Sequence, residues 1–341
     1  MDFGLTMLTH GVMTRDADGD CILQNVTPSE MAPVRRAVRA EELGFHSVWF
    51  SDHVVMERTT AEGAHTANRS GKRAYPERPT MLDVPTTIGA IASRTSTLRF
   101  SPSVYIAPYR HPLITAHEFA TLDVLSDGRV ILGVGVGWER GEFEAMGAAF
   151  EHRGAVTEES VAIYKLAWTE PWIEFHGRHF DIAGVSMDPK PVQQPHPPLW
   201  WGGVSAPGAR RAARCCDGFY PMFLDAHSTP ETFDGLREEI AREGERVERD
   251  LTGFRLAGFC QFRLDADAAR DPRFGGRRPL LAGTPEQILE DLQGFADFGY
   301  SHVTVHLDCP SGEVAEWEEQ LERFAAEVLP EGRAIAHRAP F

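Results

Sequence analysis

The sequence predicts an α/β fold: a (β/α)8 barrel with insertion loops at its C-terminal face, formed as a single domain by residues 1–341. Three observations carry this. Eight short apolar segments alternate with helical ones along a chain whose length suits one such barrel. The segments are apolar on both faces, as in a parallel sheet covered by helices. And one helix-then-strand signature recurs near both ends of the chain. Thr27-Pro28-Ser29-Glu30 leads into Met31, Val34 and Val38 at helical spacing, then Gly44, then HSVWF. Thr284-Pro285-Glu286-Gln287 leads into Ile288, Leu292 and Phe295, then Gly299, then SHVTVHL. In each, threonine caps a helix, proline suits its first turn, a capping box closes, and glycine ends it.

In chain order, strands are expected at FGLTML (3–8), HSVWF (46–50), LRFSPSVYI (98–106), VILGVGV (130–136), PLWWGG (198–203), GFYPM (218–222), FRLAGFCQF (254–262) and SHVTVHL (301–307). Beyond the first capped helix, helices are expected near 112–125, 154–168, 206–216, 230–247, 284–298 and 313–328. Residues 56–82 and 265–282 are polar, rich in Gly and Arg, and without periodicity. They read as loops, the first directly after strand 2 and so on the face where barrels do chemistry.

Composition excludes several functions. A net charge of −16 opposes nucleic acid or an anionic membrane as the main partner. No segment reaches membrane-spanning length and the N-terminus lacks a basic, apolar leader, so a cytoplasmic protein is expected. The five cysteines include the adjacent Cys215 and Cys216, a spacing for neither zinc nor a redox pair, and read as reduced thiols.

Asp52 and His53 stand where an apolar strand ends, the position of catalytic groups in a barrel. They read equally as a turn cap and a surface histidine. Gly133, Gly135 and Gly137 alternate, which leaves one strand face bare for something flat or for tight packing. With Trp138 and Arg140 where further glycines would be needed, this is no dinucleotide fingerprint. Trp138 is a pocket wall or a packing residue, and Glu142 a pocket acid or a helix N-terminal charge. Gly202-Gly203 precede a helix beginning near Ser205 or Pro207, which makes an anion site or an ordinary turn. His302 and His306 share a strand face too far apart for one metal; His306 suits the barrel mouth and His302 its bottom. His117-Glu118 continues to Thr121 and fails the zinc-protease pattern. No metal-ligand cluster is legible.

Five segments together resemble the luciferase-like monooxygenase superfamily, and within it the coenzyme F420-dependent branch. They are LGFHSVWFSDHVV (43–55), YRHPLITAHEFATLDVLSDGRVILGVGVGWERGEFEAMG (109–147), FHGRHF (175–180), PKPVQQPHPPLWWGG (189–203) and ARRAARCCDGFYP (209–221). The resemblance implies a (deaza)flavin at the strand C-termini, with its phosphate on Trp201, Gly202, Gly203 and Val204. It implies Asp52 and His53 beside the ring, with His53 catalytic as proton donor or acceptor, an imidazole being suited to that work. It places a non-prolyl cis peptide at Ser103-Val104, behind the ring, with Gly137 and Trp138 also at the cofactor site. Lys190, Arg210 and Arg211 are the basic groups available to the carboxylate-rich tail of F420, or plain surface charges. The activity implied is hydride transfer between F420 and a small organic substrate. The alternatives are an FMN-dependent monooxygenase served by a separate flavin reductase, and a non-catalytic F420- or flavin-binding protein. Flavin users often carry Glu-His where this chain has Asp52-His53, which favours F420. A homodimer is also implied.

Overall fold

The computed structural model describes residues 1–16, 18–58, 72–223, 233–267 and 278–341. Residues 59–71 and 268–277, which make up much of the two expected loops, and 230–232 of the helix expected at 230–247 lie outside the described residues. Eight strand positions alternate with eight principal helices. The strands are β1 (Asp2–Thr6), β2 (Ser47–Phe50), β3 (Arg99–Pro102, resumed at Tyr105–Ile106), β4 (Leu132–Gly135), β5 (Leu199–Gly202), β6 (Gly218–Tyr220, resumed at Met222–Phe223), β7 (Arg255–Leu264) and β8 (Tyr300–Leu307). The helices are α1 (Pro33–Glu42), α2 (Val84–Ala92), α3 (Pro112–Leu125), α4 (Arg153–Thr169), α5 (Ala206–Cys215), α6 (Asp234–Arg246), α7 (Pro285–Asp297) and α8 (Val314–Glu327).

Neighbouring strands pair in parallel in the order β3-β2-β1-β8-β7-β6-β5-β4, and the second half of β3 pairs with β4. A bridge between Phe100 and Val130 joins the first half of β3 to the approach of β4. The ring thus closes as the expected barrel, with the gap in β3 at its seam.

The alternation of each strand sorts its side chains into two cores. Leu5, Val48, Phe50, Phe100, Val134 and Val303 point outward and are buried against the helices. Trp49, Ile131, Trp200, Tyr220, Ala257 and Phe259 point inward. Trp49 stacks on Tyr220 at 4.7 Å and on Trp200 at 5.5 Å. Gly4 makes that possible, since a Cβ there would stand 2.3 Å from Trp49 Nε1. Burying each such ring contributes roughly 1.5–3 kcal/mol.

Three local features depart from the sequence expectations. The first capped helix is broken. Thr27 and Glu30 do form the capping box, but the chain turns left-handed at Ala32 before α1 starts at Pro33. Pro33 lacks the N–H that a continuous helix would need. Helix α2 was not anticipated, although Asp83 caps it by accepting from Thr86 N and Pro85 lies in its first turn. Last, a hairpin of Val12–Arg15 and Cys21–Gln24 follows β1. It carries Met13, Cys21 and Leu23 into the inner core beside Ala74, so it covers part of the barrel mouth. Among the described residues no helix is long and apolar enough to cross a membrane.

Candidate active site

The charged pair after β2 divides its labour. The Asp52 carboxylate is buried and accepts from Ile106 N at 2.8 Å and from both terminal nitrogens of Arg110 at 2.8 and 2.9 Å. Arg110 in turn lies over the Tyr105 ring at 4.4 Å. Asp52 therefore braces the end of β2 against the resumed part of β3. Its oxygens are engaged within the protein and do not reach outward as a lone acid would.

His53 is held differently. Its Nδ1 lies 2.7 Å from Glu142 Oε2. The same carboxylate accepts from Tyr109 Oη at 2.8 Å and from Val54 N at 2.7 Å. Burial alone would raise the Glu142 carboxyl, yet the hydrogen bond and charge of His53, with the hydrogen bonds from Val54 N and Tyr109 Oη, hold it below its ordinary value. An ionised carboxylate only accepts, so Nδ1 of His53 carries a proton in either charge state of the ring, and Nε2 is left as the nitrogen that can gain or lose one. Glu142 is fully buried on the short helix Arg140–Ala145. It stands in that helix's first turn and also faces His53, so both readings open in sequence describe it.

The bare glycine face has a clear occupant. The Ser103–Val104 peptide is cis. Ser103 N donates to Phe50 O at 2.6 Å, and Ser103 Oγ lies 3.3 Å from Tyr220 Oη. Val104 then projects over glycines from two strands. A Cβ on Gly135 would stand 2.2 Å from Val104 Cγ2, and one on Gly202 2.5 Å from Val104 Cγ1. Gly133 also borders Val104, and there a Cβ would meet Pro102 O at 2.4 Å. The glycines of β4 and β5 thus accept the side chain of β3's interruption, and Val104 becomes a raised apolar platform at the mouth. Gly137 is a turn residue with φ of 76°, packed on Ile106 and Phe143, rather than a bare surface.

Beyond β5, Gly203 has φ of 140° and nothing within 4 Å of the place a Cβ would take. Val204 is exposed, and Ser205 caps α5 by accepting from Gly208 N at 3.3 Å. This is an open helix N-terminus with glycine before it, suited to an anion. Trp201 reaches outward against α5, its Nε1 3.2 Å from where a Gly208 Cβ would be, so only its backbone faces the mouth. The basic residues considered for a cofactor tail are engaged elsewhere. Lys190 donates to Ala167 O and Glu170 O, Arg210 pairs with Glu239 and Arg211 with Glu158.

Trp138 stands beside the histidine: its ring lies 5.8 Å from His53 and stacks at 6.4 Å on Tyr75. Tyr75, Tyr109 and Arg110 escaped sequence reading because each owes its place to a partner distant in the chain. The fold also gathers two donor groups that the sequence did not reveal, His53 with Glu139 and Glu142 at the mouth and Asp2 with His46 and His302 at the bottom, each set within 4.8 Å. At the mouth, burial raises the Glu139 carboxyl against the pull of Arg73 and His53.

Several known proteins are similar to this chain. A family model described as luciferase-like monooxygenase matches residues 1–272. An F420-dependent glucose-6-phosphate dehydrogenase of Amycolatopsis mediterranei is 26% identical over 340 residues, covering 89% of this chain and 94% of that protein. An FMNH(2)-dependent dimethylsulfone monooxygenase of Pseudomonas putida is 29% identical over 283 residues, covering 71% and 76%. Among solved structures, monooxygenase RslO1 from Streptomyces bottropensis superposes with a TM-score of 0.71 at 21% identity, covering 97% of this chain and 99% of that one, and so shares the fold.

Proposed function

The chain belongs to the luciferase-like monooxygenase family, and from that premise we propose that it is a coenzyme F420-dependent oxidoreductase exchanging hydride with a small organic substrate. The observation that carries this is the Val104 platform facing the same mouth as a His53 whose Nδ1 is fixed by Glu142. The residues present fit a flat ring with a phosphate arm. Val104 offers an apolar face for the ring, flanked by Trp138, and the open Gly203–Ser205 turn at α5 offers backbone amides to the phosphate. Bound there, the deazaflavin supplies the ring carbon that gives or takes hydride. His53 handles the proton at Nε2, Glu142 holds the imidazole in the tautomer that leaves Nε2 free, and Asp52 keeps the bulge of β3 in register through Ile106 and Arg110. Homology to F420-dependent relatives over most of the chain supports the cofactor choice.

The second reading is FMN with a reductase partner, favoured by the FMNH(2)-dependent relative. Fluorescence titration with F420, FMN and reduced FMN separates the two. Tight binding of F420 alone is expected, and binding of reduced FMN alone would overturn the proposal. His53→Ala is expected to keep F420 affinity within about threefold while turnover falls on the order of 10²- to 10⁴-fold.

A further inference from the structure

Besides His53, the mouth contains a pair of imidazoles that the cofactor reading does not use. His10, after β1, and His306, near the end of β8, are 2% and 5% exposed. Their rings meet edge to face at 5.4 Å. Among the described residues Nδ1 of each has no hydrogen-bond partner, and neither have the hydroxyls of Thr6 and of Thr9, the residue before His10. The strand register explains the convergence. Leu5 pairs with Val305, so Thr6 stands beside His306, and Gln261 of β7 is directly opposite His306. Gln261 has only a sulfur, Met13 Sδ at 3.0 Å, for its amide nitrogen. Buried polar atoms are nearly always satisfied, and this many without a partner among the described residues call for a polar guest. The pair also adjoins the proton-handling residue, because Tyr75 lies 5.2 Å from His53 and 6.4 Å from His10.

We propose that His10 and His306 form the substrate-recognition subsite, and that it takes an uncharged molecule presenting a hydroxyl or carbonyl oxygen, not a phosphorylated one. This rests on the oxidoreductase reading above. The chemistry of the pair fixes the class. Burial lowers both imidazoles, His10 to about 4 and His306 well below its ordinary value, so both are neutral at working pH. A neutral imidazole has one donor and one acceptor, which matches a hydroxyl or a carbonyl. A phosphate dianion would need cations to spare. Among the described residues, Arg15 faces Asp308 at 3.5 Å, Arg73 faces Glu139 at 3.4 Å and Arg110 faces Asp52 at 2.8 Å. These three guanidinium groups are each matched to a carboxylate.

The test titrates protein carrying ¹⁵N-labelled histidine with 2-butanol, butanone, glucose and glucose 6-phosphate, reading the His10 and His306 ring signals, with F420 affinity measured separately by fluorescence. At least one uncharged probe is expected to move both signals while glucose 6-phosphate does not. His10→Phe and His306→Phe should each weaken that probe at least tenfold and change F420 affinity less than twofold. His306→Gln, which keeps a donor and an acceptor, should restore part of the loss. Preference for glucose 6-phosphate, silence of both signals with every uncharged probe, or loss of F420 affinity with probe binding intact would overturn the subsite. Failure of the wild-type protein to bind F420 would instead overturn the cofactor reading, since the histidine signals score the subsite without cofactor.

Discussion

One carboxylate does most to define the site. Glu142 satisfies His53, Tyr109 and the N–H of Val54 from a position with no exposure to solvent. Replacing it with alanine strands those donors in the interior, and a loss of roughly 2–4 kcal/mol in unfolding free energy is expected. Glu142→Gln is more informative. The amide can still accept from Val54, but it no longer offers a charged acceptor to Nδ1. Turnover should fall about 10- to 100-fold with F420 affinity unchanged, and Glu142→Asp should recover part of it. Equal loss of turnover and of F420 binding would make Glu142 a folding residue only. His53 was legible in the sequence because an ionisable pair interrupts an apolar strand. Its pairing with Glu142 was not, because that residue lies 89 positions away and the third position of a short helix accepts an acid for reasons of its own.

At the scale of elements, β3, β4 and β5 form one device. The alternating glycines were visible, but not what they make room for, since Val104 belongs to another strand. The structure turns that relation into a coupling. Gly135→Ala forces a Cβ to within 2.2 Å of Val104 Cγ2 and should cost roughly 1–3 kcal/mol and weaken F420 binding. Adding Val104→Ala removes the clash. In a double-mutant cycle followed by urea unfolding, the pair should be non-additive by about 1 kcal/mol or more, the double variant being less destabilised than the sum. Additive losses would mean that Val104 and Gly135 do not share the space. The same scale shows where local signals sufficed and where they did not. Each capped β/α unit could be read alone, because cap, apolar stripe and terminal glycine are neighbours in sequence. The break at Ala32 and the helix Val84–Ala92 were missed although Pro33, Asp83 and Pro85 announced them, the first being hidden by a continuous apolar periodicity.

The whole barrel is stabilised by an inner core that contains ionisable rings kept neutral, and this sets its response to acid. Burial lowers His10 to about 4, and His302 and His306 well below 6.5. In the unfolded chain these side chains titrate near 6.5, so below that pH the unfolded state binds more protons and folding stability falls as pH falls. The stabilisation is complete above about 6.5 and lost progressively down to the folded values; for His10 alone the span corresponds to roughly 3 kcal/mol. Glu142, held low by its partners, adds its own loss only at more acid pH, as its carboxyl protonates. Glu139, held high by burial, works in the opposite sense. A net charge of −16 shrinks on acidification, which relieves self-repulsion, but that diffuse effect is screened by salt whereas buried imidazoles are not. Urea midpoints at 0.15 M salt should therefore drop between pH 7 and pH 5.5. His302→Gln, at the barrel bottom and away from the proposed chemistry, should flatten that slope whatever it does to the midpoint at pH 7. A midpoint that stays level across this range, or a slope unchanged by His302→Gln, would mean that these imidazoles reach water in the folded protein and that the barrel interior is wetter than its packing implies.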